Sequence, residues 1–163
     1  LLSNIHFALT THETIRYFTR SPCHPFTPSL YFQPMGKRQI VHVESGKVLI
    51  PQAKWCDGFG SKLRGFTFRR TLGPQDGLVL VEARDNRVNT AIHMLFVLFD
   101  LGVIWVNAAG EVVGTVVAQP WRLSYMPPAP ARYVIEGQPD LVNRVRVGDH
   151  IQFAHPPGTK APS

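Results

Sequence analysis

The chain has 163 residues, 44% of them apolar, enough to fill one ordinary core and too few for two domains of usual size. Seventeen Lys and Arg against 11 Asp and Glu leave a formal charge of +6. That balance permits contact with nucleic acid or anionic lipid without requiring it, because the basic residues are spread along the chain. No apolar run has the length of a helical membrane span. The longest, 91–106, is interrupted by His93, Asp100 and Gly102.

Residues 1–37 read as a leader unlike the rest of the chain. Pro22, Pro25 and Pro28 fall within eight residues and exclude a helix or a central strand there. Leu1 to Arg20 lacks the unbroken apolar stretch and cleavage site of a secretory signal, so the expected location is the cytoplasm. The chain opens on Leu, and its first methionine, Met35, directly precedes a strand-like run. Met35 is therefore the expected natural start, with the leader either disordered or non-native. Of the cysteines, Cys23 and Cys56 match no metal-ligand spacing, and Cys56 reads as a buried free thiol.

Gln39–Val43 alternates polar and apolar residues, the mark of a half-buried strand. Ser45-Gly46 turns it into a partner at Lys47–Pro51. Trp55, Phe59, Leu63 and Phe66 then recur at helical spacing and predict one short amphipathic helix, weakened by Gly58 and Gly60. Gly73–Gly77 is a turn, Leu78–Glu82 a strand and Arg84–Asn89 a loop. The most apolar segments, Ala91–Phe99 and Val103–Asn107, are expected to be central strands.

Asn107–Gly110 predicts a hairpin into the valine-rich strand Glu111–Ala118. Pro120–Pro130 should cross the surface, Arg132–Glu136 is a strand, and Pro139–Val147 holds one or two helical turns. A turn at Val147–Asp149 leads into a last strand, His150–Phe153, before a disordered tail, 154–163. About eight short strands and one helix predict a mainly β domain over 38–153, a compact antiparallel barrel or sandwich.

A family resemblance rests on Arg64-Gly65-Phe66 followed by Arg69-Arg70, on Ile92-His93-Met94-Leu95-Phe96 and on Ala108-Ala109-Gly110-Glu111-Val112-Val113. It continues through Gln119-Pro120-Trp121-Arg122, Ala131-Arg132-Tyr133-Val134-Ile135-Glu136 and Val147-Gly148-Asp149. In this order and spacing the chain resembles the prokaryotic family named domain of unknown function 192. The resemblance implies a compact β sandwich or barrel with one packed helix and supplies no biochemical activity. The sequence departs from the family pattern at Val97, Leu98, Gly102 and Asn107, where a methionine or threonine, a basic residue, an aspartate and an acidic residue respectively are usual. Asp100 stands two residues before the family's aspartate position, on the same face of a strand.

No nucleophile elbow, zinc-protease motif, paired-cysteine motif or phosphate loop is present. His42, His93, His150 and His155 can converge only through the fold, so no metal site and no cofactor is expected. Asp100, between Phe99 and Leu101, is expected to be buried. It must then pair with Arg122 or Arg70, or serve as a polar anchor in a pocket. His93 reads either as a hydrogen-bonded structural histidine or as a ligand contact.

The preferred function is a non-catalytic module that binds a small polar or anionic ligand, or a protein partner, near Arg70, His93, Asp100 and Arg122. The alternative is a hydrolase or transferase using His93 and Asp100, for which the sequence offers no nucleophile. Nucleic-acid binding through the basic segment Lys54, Lys62, Arg64, Arg69 and Arg70 ranks last, since the neighbouring aromatics are spaced to face a core.

Overall fold

A computed structural model describes residues 36–57, Phe66 and 69–156. Seven strands follow one another: β1 (Lys37–His42), β2 (Val48–Cys56), β3 (Leu78–Asn86), β4 (Leu101–Val106), β5 (Val112–Ala118), β6 (Ala131–Gly137) and β7 (Ile151–Ala154). A 3-10 turn, Pro139–Arg144, lies between β6 and β7. The strands form one sheet in the order β5-β4-β6-β3-β2-β1-β7. Every pairing is antiparallel except the one between β2 and β3, which is parallel.

The sheet curls until its two edges meet at one end. Val112 N–H donates to Asp149 C=O at 2.8 Å, and Ile151 N–H donates to Gly110 C=O at 2.7 Å, so the start of β5 lies against the start of β7. The result is a half-barrel, a mainly β fold as expected.

Strand alternation sorts the apolar side chains onto two faces. Ile40, Ile50, Val79, Ile104, Val112, Ile135 and Ile151 come one from each strand and fill the inside of the curl with Leu141 of the 3-10 turn. Leu78, Leu101, Val103, Trp105 and Val134 point outward and form a second cluster beneath Ile92, Met94 and Val97. All six residues of β4 are buried, because that strand has a core on each side. Each fully buried Ile or Val contributes about 1.5–3 kcal/mol of hydrophobic stabilisation.

Seven strands form among the described residues, in keeping with the eight or so expected. Three expectations are corrected. Ala91–Phe99 is not a strand but a loop with one bridge, Ile92 to Tyr125; its apolar residues are used to cover the outer face of the sheet rather than to extend the ladder. Trp55 does not open a helix, because β2 runs on through Cys56 and pairs Lys54 with both Lys37 and Leu78.

Nor does Pro51 end β2. Between the pairs Arg38–Ala53 and Ile40–Ile50 only Gln39 faces Pro51 and Gln52, so the proline sits in a bulge where its missing N–H breaks no regular ladder bond. The rest of the expected helix, positions 58–65, lies outside the described residues. So do the leader through position 35 and the tail from 157.

Candidate functional site

The covering loop 91–100 and the connection after β5 lie side by side. Ile92 and Tyr125 exchange backbone hydrogen bonds at 3.0 and 2.8 Å, Met94 N–H donates to Arg122 C=O at 2.9 Å, and Trp121 N–H donates to Met94 C=O at 3.0 Å. Ile92, Met94 and Val97 are buried and anchor the pair of segments to the sheet. Their neighbours consequently face out. Phe96 is 49% exposed, Trp121 56% and Leu123 76%, and Leu98 and Met126 also stand in solvent.

The rings of Phe96 and Trp121 meet edge to face, 5.8 Å between centroids and 70° between planes. These two are the non-glycine residues with positive φ among the described residues, at 61° and 63°. Phe96 is the third residue of a turn closed by Val97 N–H donating to Met94 C=O at 3.3 Å, a place where positive φ ordinarily selects glycine. Bulky side chains in that region carry a strain of about 1–3 kcal/mol each. The chain thus bears a strained backbone at both residues that present the aromatic pair.

The four residues singled out from the sequence, Arg70, His93, Asp100 and Arg122, are all exposed. His93 and Arg122 flank the aromatic pair, brought together by the Met94–Arg122 hydrogen bond. Asp100 is not buried as expected. The strand begins one residue later, at Leu101, so the carboxylate remains in water and needs no arginine. Among the described residues no side-chain hydrogen bond or ion pair joins any two of the four. A shallow depression is lined by Ile50, Asp76, Gln138, Asp140 and Arg144, and by none of the four.

Of the basic segment, Lys54 lies on β2 rather than on a helix, and Lys62 and Arg64 lie outside the described residues. Two groups the sequence did not single out are chemically distinctive. Glu136 of β6, 7% exposed, shares the outer apolar face with its cross-strand partners Leu78 and Val103. Loss of water there pushes its carboxyl up to about 7. His42, Glu44 and Asp149 have donor atoms close enough to hold a metal ion. Alternation on β6 placed Glu136 on the face of Val134, but that this face is covered at all is a tertiary fact.

Residues 40–153 match the model of the family named domain of unknown function 192, described as Uncharacterized ACR. The chain belongs to this family. A UPF0127 protein of Pyrococcus furiosus is 32% identical over 70% of this chain and 97% of its own length. A UPF0127 protein of Thermococcus kodakarensis is 34% identical over 70% and 72%. Among solved structures, a protein of Sinorhizobium meliloti named as a candidate transcription regulator superposes with a TM-score of 0.64 over 73% of this chain and 95% of its own. A protein of unknown function from Novosphingobium aromaticivorans gives 0.61 over 82% and 98%. At 18% identity these two share the fold of this member of the domain of unknown function 192 family, and no activity follows from them.

Proposed function

We propose that the domain is a non-catalytic docking module whose partner is a protein segment with aromatic and aliphatic anchors, seated on Phe96, Leu98, Trp121 and Leu123. One observation carries the reading: the two positive-φ bulky residues of the described chain are the pair of exposed, mutually packed aromatics. Strain of this kind persists where the surrounding structure holds it, and it concentrates at binding surfaces. Contiguous exposed apolar residues with a polar rim mark interaction sites, and Trp and Arg are the residues that most often anchor them.

The charges on the rim favour a protein over a lipid surface. Asp100 in the covering loop and Arg122 beside Trp121 carry opposite signs, whereas a membrane-binding tip sets its apolar residues among basic ones. A small polar ligand finds less support, because no side-chain hydrogen bond or ion pair joins any two of the four expected residues. His93 and Asp100 make no contact with each other that would support acid–base chemistry.

Selection from a displayed peptide library tests the proposal. Selected peptides should carry aromatic or aliphatic anchors and bind in the micromolar range. Trp121→Ala should weaken them at least tenfold, as hot-spot truncations do, while the melting temperature stays near that of the parent. Binding unaffected by Trp121→Ala overturns the proposal, as does adsorption to anionic vesicles in place of peptide binding.

A further inference from the structure

The turn between β1 and β2 and the residues just before β7 gather His42, Glu44, Ser45, Asp149 and His150. His42 ends β1 with 12% of its side chain exposed, and its Nε2 has two carboxylate oxygens in reach, Asp149 Oδ2 at 2.9 Å and Glu44 Oε2 at 3.2 Å. A ring nitrogen carries at most one hydrogen, so a single N–H must serve two carboxylates. The three atoms all lie within 4.8 Å of one another. Donors placed about 2.0–2.2 Å from one ion are themselves roughly 3.0–3.4 Å apart, which is the spacing of His42 from each carboxylate.

Each donor is also held from behind. Glu44 Oε1 accepts from the His150 backbone N–H at 2.8 Å and faces the His150 ring at 3.1 Å. Asp149 Oδ2 accepts from the Arg146 backbone N–H at 2.7 Å. Ser45 Oγ lies 2.7 Å from His42 Nδ1 and helps fix the orientation of the ring. The Arg146 N–H and His42 hold the Asp149 carboxyl below its usual range. Partial burial pushes the Glu44 carboxyl up, but the hydrogen bonds from its own backbone and from His150 outweigh this and hold it low.

Two carboxylate oxygens, each fixed by a backbone N–H of this end of the sheet, thus converge on one imidazole nitrogen. We propose that His42 Nε2, Glu44 Oε2 and Asp149 Oδ2 bind one divalent first-row transition ion such as Zn²⁺, a site separate from the docking surface. One nitrogen and two oxygens form a donor set such ions accept, with further positions left for water.

Titration of chelator-treated protein with ZnCl₂ by calorimetry, and with CoCl₂ by visible absorbance, tests this. One equivalent should bind in the micromolar range. Glu44→Gln and Asp149→Asn should each weaken binding at least tenfold, with the metal-free melting temperature of the Glu44 variant unchanged. Since His42→Ala removes a nearly buried side chain, the Glu44 variant carries the decision. A parent chain that takes up no ion, or one that binds as tightly after Glu44→Gln, overturns the proposal.

Discussion

Phe96 and Trp121 show how a residue can pay a conformational cost that its neighbours impose. A Cβ in the left-handed region costs roughly 1–2 kcal/mol, and glycine avoids it. At positions 96 and 121 the glycine variant should accordingly be more stable than the alanine variant by about 1 kcal/mol, measured by urea denaturation. At ordinary strand or helix positions the order is reversed, so alanine proving the more stable would remove the strain on which the docking site rests. Asp100 illustrates the opposite case. Standing in solvent before β4, it has no buried counter-charge to orphan, and Asp100→Asn should change stability by less than about 0.5 kcal/mol. A loss of several kcal/mol would restore the buried pair that its apolar neighbours suggest.

At the scale of elements, β4 is held by what packs on its two sides. On the inner side Gly102 lies under the 3-10 turn, where a Cβ would come within 2.3 Å of the Gln138 carbonyl oxygen and 3.3 Å of Leu141 Cβ. The backbone oxygen cannot swing aside as a flexible side chain would. Gly102→Ala should therefore displace the turn and cost about 1–3 kcal/mol, read as a lower denaturation midpoint at unchanged slope. On the outer side Trp105 Nε1 donates to Thr90 C=O at 2.8 Å, which ties the end of the β3 connection to the strand. Trp105→Phe keeps most of the apolar area and leaves that buried carbonyl unsatisfied, at a cost of about 1–3 kcal/mol.

Across the whole molecule, burial of Glu136 predicts a stability profile that slopes the unusual way for a carboxylate. Its carboxyl titrates near 7 when folded against 4.5 as the reference for the unfolded chain. Between those values the folded state binds the extra proton, so stability falls as pH rises from about 4.5 through 7 and is level above. A gap of this size corresponds to a loss of up to about 3 kcal/mol. Glu136→Gln should flatten the slope and make the variant more stable than its parent at pH 8, as denaturation at pH 5 and 8 would show. A parent profile that is flat over this range would mean that the carboxylate is stabilised in its charged form after all.

Period-two alternation and turn residues determined most of the sheet from sequence alone, because both are local. Gly46 and Gly110 adopt positive φ at the expected hairpins, at 65° and 90°, and β5, β6 and β7 lie within a residue or two of their expected bounds. A continuous apolar run is ambiguous by contrast, since burial in a ladder and burial as a cover demand the same residues. Only the tertiary structure decided that 91–99 covers the sheet while β4 is an interior strand between β5 and β6, and that decision moved Asp100 into water. It also decided both proposed sites. The aromatic pair depends on the register between two loops, and His42 meets Asp149 only because β1 pairs with β7 across 107 residues of chain. Nothing in either local segment encodes such a meeting; the pairing of distant segments creates it.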